Sequence, residues 1–203
     1  MLIKCFPVGH LEENCYIVAD EDSLLCAVVD PGDESNTILD YVEETKLRVQ
    51  DIFLTHGHFD HTGAVEALLE ETGAQLWMHR RDASEGESDG FSYDAPEGTK
   101  FYKEGDEIAV GALRFTVMET PGHSPGSVTL KCGEALFTGD TLFRGGAGRT
   151  DLPGGDTNTL MASLKRLAFL PGDYEVWPGH MDGTTLDRER MTNYYLRRAA
   201  GVR

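Results

Sequence analysis

Short apolar runs, rich in β-branched and aromatic residues, punctuate the chain. They predict strands at Leu2–Phe6, Cys15–Ala19, Leu24–Asp30, Asp51–Thr55, Gln75–His79, Leu113–Glu119, Ser127–Lys131, Ala135–Thr138 and Glu175–Pro178. A helical period appears between some of them. Ser35–Lys46 groups Ile38, Leu39 and Val42, and Thr62–Thr72 groups Val65, Leu68 and Leu69 ahead of Gly73, a stop signal. Asp156 reads as the cap of a helix carrying Leu160, Leu164 and Leu167, which Pro171-Gly172 closes. Leu186–Ala200 reads as one last helix, and the polar, glycine-containing stretch 81–100 as a long surface loop. Strands followed by strand–helix alternation, twice over, predict an α/β protein with sheets packed together and helices outside.

Length and composition narrow this picture. A chain of 203 residues suits one domain, 1–203, with a real core. Acidic residues number 35 against 18 basic ones, a net charge of −17, and no basic footprint exists beyond Arg80-Arg81 and Arg197-Arg198. Nucleic acid is therefore not an expected partner, since phosphate binding needs a cationic surface. No apolar run approaches membrane-spanning length, so no membrane partner is expected either. The N-terminus reads as a strand rather than a signal peptide. Cys5, Cys15, Cys26 and Cys132 form no C-x-x-C pair; they read as reduced, buried thiols of a cytoplasmic protein, not a thiolate metal site. No motif sets the oligomeric state.

The chemistry concentrates in Thr55-His56-Gly57-His58-Phe59-Asp60-His61, three imidazoles and a carboxylate between a strand and a helix. Residues two apart in extended chain point the same way, so His56 and His58 can converge on one metal, with Asp60 and His61 directed to a second position. Imidazole nitrogen and carboxylate oxygen suit Zn²⁺, Fe²⁺ or Mn²⁺. Without a metal, packing these groups together would carry a heavy desolvation cost. One loop cannot complete the coordination, so distant ligands are required. His123, Asp140 and His180 each follow a predicted strand and a glycine. If the strand ends share a rim, these side chains meet the early cluster there. His10 and His79 read as surface or hydrogen-bonded side chains outside the site.

These motifs resemble the metallo-β-lactamase superfamily. Thr-His-Gly-His-Phe-Asp-His matches its H-x-H-x-D-H signature. Val28–Gly32, Thr-Pro-Gly-His-Ser, Phe-Thr-Gly-Asp-Thr-Leu-Phe and Pro-Gly-His look like further motifs of the glyoxalase II-like branch. The resemblance implies an αββα sandwich, two mixed β-sheets flanked by helices, with two divalent metal ions at the sheet edge, zinc being expected and iron or manganese the other candidates. It implies that His56, His58 and His123 hold one metal, that Asp60, His61 and His180 hold the other, and that Asp140 bridges them. Asp30 is either a partner that orients a ligand imidazole or a turn residue of Asp-Pro-Gly. Arg149 falls where glyoxalase II enzymes place a base for the glutathione carboxylate. Against that carrier, Asp151 stands where an aromatic residue is expected, and the chain ends soon after His180, without the C-terminal helical domain of full-length glyoxalase II. Gly148–Gly155 resembles the compact type II hydroxyacylglutathione hydrolase-like enzymes.

The activity implied is hydrolysis of a small-molecule thioester or ester, such as S-lactoylglutathione, by a hydroxide bridging two metals. Asp60 and Asp140 are the carboxylates expected to act in catalysis. A thiolate leaves unprotonated, so no dedicated acid is needed, whereas amide cleavage, as in a β-lactam, requires one. Competing readings are an iron-dependent persulfide dioxygenase using His56, His123 and Asp140, a phosphodiesterase on the same scaffold, and a non-catalytic metal-binding protein.

Overall fold

The computed structural model describes residues 1–84 and 90–202. Two six-stranded mixed sheets face each other. The first contains β1 (Leu2–Val8), β2 (Glu13–Ala19), β3 (Leu25–Val29), β4 (Arg48–Phe53), β5 (Gln75–His79) and β6 (Lys100–Tyr102), in that spatial order. β1, β2 and β3 pair antiparallel, and β3 to β6 run parallel. The second contains β7 (Glu107–Val110), β8 (Leu113–Glu119), β9 (Val128–Cys132), β10 (Ala135–Gly139), β11 (Glu175–Pro178) and β12 (Thr184–Thr185), in the reverse spatial order. Its pairs are antiparallel except β10 with β11, so β8, β10 and β11 run the same way and end on one edge.

Burial follows the alternation of side chains in each strand. In β2, Cys15, Ile17 and Ala19 pack outward beneath α1 (Ser35–Thr45) and α2 (Val65–Thr72), against Ile38 and Leu68. Tyr16 and Val18, on the opposite face, join Phe53, Phe115, Val117, Leu130 and Phe137 between the sheets. Phe53 and Phe115 meet edge to face with ring centroids 4.9 Å apart. On the far side of the second sheet, Leu160, Leu164 and Leu167 of α3 (Thr157–Ala168) cover Leu136 and Val176, together with Leu186 and Leu196. Three apolar layers thus separate four layers of structure, the αββα sandwich. Asp156 caps α3 as expected, its Oδ1 accepting from Thr159 N at 2.7 Å.

Differences from the sequence reading have local causes. The predicted helix Leu186–Ala200 is two helices, α4 (Leu186–Thr192) and α5 (Tyr194–Ala199). Asn193 adopts an extended backbone between them, and its Oδ1 accepts from Tyr195 N at 2.9 Å and Leu196 N at 3.2 Å. An asparagine side chain that competes for helix-start N–H groups ends one helix and caps the next. Strands β6 and β7 were not expected; at three and four residues they carry too short an alternation to stand out. Within the predicted loop 81–100, Ala83–Ser84 pairs with Tyr93–Asp94, and residues 85–89 lie outside the described residues. Thr62–Ala64 form a turn ahead of α2, because a 3₁₀ turn at Phe59–His61 precedes it. No helix among the described residues is long and apolar enough to cross a membrane.

Candidate metal centre

Strand ends from both sheets meet on one rim, as required for the dispersed ligands to converge. Asp30 follows β3, His56 to His61 follow β4, His123 follows β8, Asp140 follows β10 and His180 follows β11. Backbone bonds tie the two sheets there, Val128 N to Thr55 O at 2.9 Å and Asn14 N to Gly179 O at 2.7 Å. The backbone at Gly179 passes so close that a Cβ there would lie 2.4 Å from Asp140 Oδ1 and 2.7 Å from His61 Cε1. Glycine beside His180 is therefore a steric requirement.

Two groups of donors form. His56, His58 and His123 offer ligand atoms that all lie within 4.8 Å of one another, and so do Asp60, His61 and His180. His58 Nδ1 stands 2.9 Å from His123 Nε2. His180 Nε2 stands 3.3 Å from Asp60 Oδ2. Asp140 lies between the groups, with Oδ2 3.4 Å from His123 Nε2 and 3.7 Å from His180 Nε2, and Oδ1 3.5 Å from His61 Nε2. All seven sequence-predicted ligand residues are thus brought together.

Proton counting shows which ring atoms face inward. Asp30, in a left-handed conformation (φ 48°), accepts from Thr55 N and from Thr55 Oγ1, both at 2.6 Å. The threonine hydroxyl has one proton, which goes to Asp30, so at 3.1 Å it accepts from His56 Nδ1–H. That tautomer leaves His56 Nε2 a bare acceptor. Asp30 Oδ2 also faces His61 Nδ1 at 3.1 Å. Arg149 O accepts from His123 Nδ1 at 2.8 Å, and Leu11 O from His180 Nδ1 at 3.2 Å. The outer nitrogens of His56, His123 and His180 are thus held by the protein, which leaves their Nε2 atoms to face the centre. Asp30, His56 and His61 form a third close group, in which both Asp30 oxygens already accept from Thr55 and Oδ2 also faces His61.

The fit to a cation is visible in atoms left over. His56 Nε2, His61 Nε2 and Asp140 Oδ1 are buried without a hydrogen-bond partner. Buried polar atoms are normally satisfied, and three inward-facing donors of electron pairs suit a metal. The local field agrees. Burial and the surrounding imidazoles hold His56 well below the usual histidine range, so it is neutral. Burial opposes charge on His61, but Asp30, Asp140 and Asp60 outweigh it and raise that imidazole to about 9. Burial also works against ionised Asp60, but its hydrogen bond to His180 and the nearby imidazoles outweigh that and hold the carboxyl at about 2.

Several groups here were not read from the sequence. Glu13 is fully buried at the start of β2, with Oε1 3.5 Å from His61 Nδ1, and burial together with Asp30, Asp140 and Asp60 pushes its carboxyl up. Asn14 Nδ2 donates to Pro178 O at 3.0 Å and Met181 O at 2.8 Å, bracketing His180. Asp82 is buried and accepts three hydrogen bonds near the histidines. The available signal was a Glu-Asn pair leading into an otherwise apolar strand. Of the two histidines set aside, His10 is exposed, and His79 is buried with Nδ1 accepting from Arg81 N and Nε2 facing Glu119 Oε1 at 3.4 Å.

A cavity of about 570 Å³ opens over the centre, walled by Leu11, Phe59, Phe91, Phe143 and Leu152, with Arg149 at its lining. Arg149 is exposed, and its guanidinium forks onto Asp151 with two bonds of 2.7 Å.

A sequence profile described as Metallo-beta-lactamase superfamily matches residues 8–180. The Haemophilus influenzae protein named hydroxyacylglutathione hydrolase GloC is 33% identical, covering 97% of this chain and 98% of its own length. The crystal structure of BLEG-1 B3 metallo-beta-lactamase superposes with a TM-score of 0.87 at 31% identity, covering 96% of this chain and 99% of that one. TTHA1623 in a di-iron-bound form gives 0.82 at 39% identity, covering 95% and 99%. Matched through its motifs and its two-sheet frame alike, the chain belongs to the metallo-beta-lactamase superfamily of metallo-hydrolases.

Proposed function

We propose that this protein is a two-metal thioester hydrolase, with S-lactoylglutathione the first substrate to assay. One observation carries the reading: seven nitrogen- and oxygen-bearing side chains converge at an apolar cavity, five of them in its lining, with His56 Nε2, His61 Nε2 and Asp140 Oδ1 buried and uncommitted. His56, His58 and His123 would hold one ion, Asp60, His61 and His180 the other, with Asp140 between them. The donor set contains no sulfur, which suits zinc and accepts iron or manganese. A bound divalent pair supplies Lewis-acid polarisation of an acyl oxygen and lowers the pKa of water towards neutrality.

The chain's own residues do the rest. Asp60 stays ionised and offers an acceptor for a proton of the attacking water. Asp30, Thr55, Arg149 O and Leu11 O hold the imidazole rings so that little reorganisation is needed during reaction. Leu11, Phe59, Phe91, Phe143 and Leu152 displace bulk water and give an acyl chain apolar surface. Among the residues lining the cavity, the titratable groups are His58, Asp60, His123, Asp140 and His180, all assigned to metal, and Arg149. A leaving group that departs as an anion fits this set, and a thiolate does so near neutral pH. The four cysteines are free, which supports a reducing compartment such as the cytoplasm.

Protein purified without added metal should carry two divalent equivalents and cleave S-lactoylglutathione, with activity lost on chelation. One iron per chain, with oxygen consumption on glutathione persulfide, would replace this reading with a dioxygenase that uses His56, His123 and Asp140. Faster turnover of a β-lactam than of any thioester would replace it with amide chemistry.

A further inference from the structure

The three-imidazole group is assembled from two loops on different sheets. His56 and His58 follow β4 of the first sheet, and His123 follows β8 of the second. Their separation decides whether three ring nitrogens can reach one cation; among the described residues β4 and β8 are not strand partners, and the backbone bond from Val128 N to Thr55 O joins the sheets only at the base of the first loop.

Asp82 sits between these loops, in a 3₁₀ turn at Arg80–Asp82 after β5, with 1% of its surface exposed. Its Oδ2 accepts from Gly57 N at 3.0 Å, the residue between His56 and His58, and from Ser124 Oγ at 2.5 Å, the residue after His123. Its Oδ1 accepts from Gly126 N at 2.6 Å. Both loops approach as bare backbone. A Cβ on Gly57 would lie 2.6 Å from Asp82 O, and one on Gly126 would lie 2.6 Å from Asp82 Oδ1. The hydroxyl chain runs one way: Ser124 Oγ gives its single proton to Asp82 Oδ2, so Ser127 Oγ–H donates to Ser124 Oγ while Ser127 Oγ accepts from Ser124 N. An ionised carboxylate can take all three donors, since it carries none of its own. Asparagine has one acceptor oxygen, and its amide would set an N–H against either Gly126 N–H or the Gly57–Ser124 pair.

We propose that Asp82 is a positioning residue that staples the two histidine loops together and so sets the cation affinity of the His56–His58–His123 group. The proposal rests on the metal reading above. Asp82 acts through the backbone and the serine hydroxyl on either side of the imidazoles. Removing an outer partner of this kind costs about 10–100-fold in metal affinity.

The test is Asp82→Asn in the full chain, with Zn²⁺ affinity measured by chelator competition and the melting temperature of the metal-free protein measured alongside. The same substitution is made in a His180→Ala chain, where the three-imidazole group is the intact one. Affinity at that group should fall at least about tenfold, while the equivalent held by Asp60, His61 and His180 changes little. Lowered metal-free stability with wild-type affinity at both sites would make Asp82 merely structural and overturn the proposal. If Asp82→Asn does not fold, Ser124→Ala removes one of the three donors, and unchanged affinity there also overturns it. A wild-type chain that takes up no cation refutes the proposed function and this inference together; a wild-type chain with two tight equivalents and an unaffected Asp82→Asn refutes this inference alone.

Discussion

Proton competition at His61 should make metal loading of the second group steeply pH-dependent. Asp30, Asp60 and Asp140 carry the negative charge facing this ring, Glu13 stands beside its Nδ1 as a carboxyl pushed upward, and His56 and His180 are the neighbouring imidazoles. Against burial, the three aspartates raise His61 to about 9 without metal. A cation on His61 Nε2 must displace that proton. With a value near 9, the fraction of deprotonated ring is about 1 in 300 at pH 6.5 and about 1 in 4 at pH 8.5. The apparent affinity of the Asp60–His61–His180 group should then climb roughly 80-fold over those two units, and His180, shifted the same way, steepens the rise. His56 is already neutral, so that imidazole adds no such competition to the other group. The measurement is calorimetric Zn²⁺ titration of a His58→Ala chain, in which the first group is incomplete, in buffers of different ionisation enthalpy. Proton release of about one per bound ion is expected at pH 7.5. Flat affinity between pH 6.5 and 8.5, with no proton released, would refute the electrostatic argument. The sign for folding follows from the same shift. His61 is raised in the folded state, so its contribution to metal-free stability is complete below pH 6.5 and is lost as pH rises through about 9.

Other consequences can be checked separately. Asp140→Ala should abolish activity and lower occupancy of both metal groups while circular dichroism stays native, and full occupancy measured by elemental analysis would contradict its place between them. Asp151→Asn should free Arg149 from its fork and lower KM for S-lactoylglutathione a few-fold, with kcat and the KM of an uncharged thioester unchanged; an equal change on both substrates would remove Arg149 from carrier recognition. Gly179→Ala should drive a methyl into Asp140 Oδ1 and His61 Cε1 and weaken metal binding at least tenfold, read by chelator competition. Asn193→Ala deletes a buried side chain that caps α5 and donates to Phe143 O, Gly146 O and Glu189 Oε2, so denaturant unfolding should show a loss of about 2–3 kcal/mol.

The chain's order of residues was enough to pick out the seven side chains that the fold gathers on one rim. His56, His58, Asp60 and His61 are crowded into six positions, a density with few uses other than metal binding, and His123, Asp140 and His180 each follow a strand and a glycine. The layer order was legible too, because strand and helix periods persist wherever one face of an element is buried. What tertiary structure decided is how those ligands are held. Asp30 read equally well as a turn residue until Thr55, 25 positions away, was seen to take both its oxygens. Glu13, Asn14 and Asp82 belong to none of the motifs read from the sequence. Their meaning comes from partners 25 to 167 positions distant, such as Gly57 and Ser124 for Asp82 and Met181 for Asn14. A ligand can be recognised by its own chemistry and near neighbours. A residue that orients a ligand is defined by burial and by which backbone it touches, and those exist only after the two sheets have closed on each other.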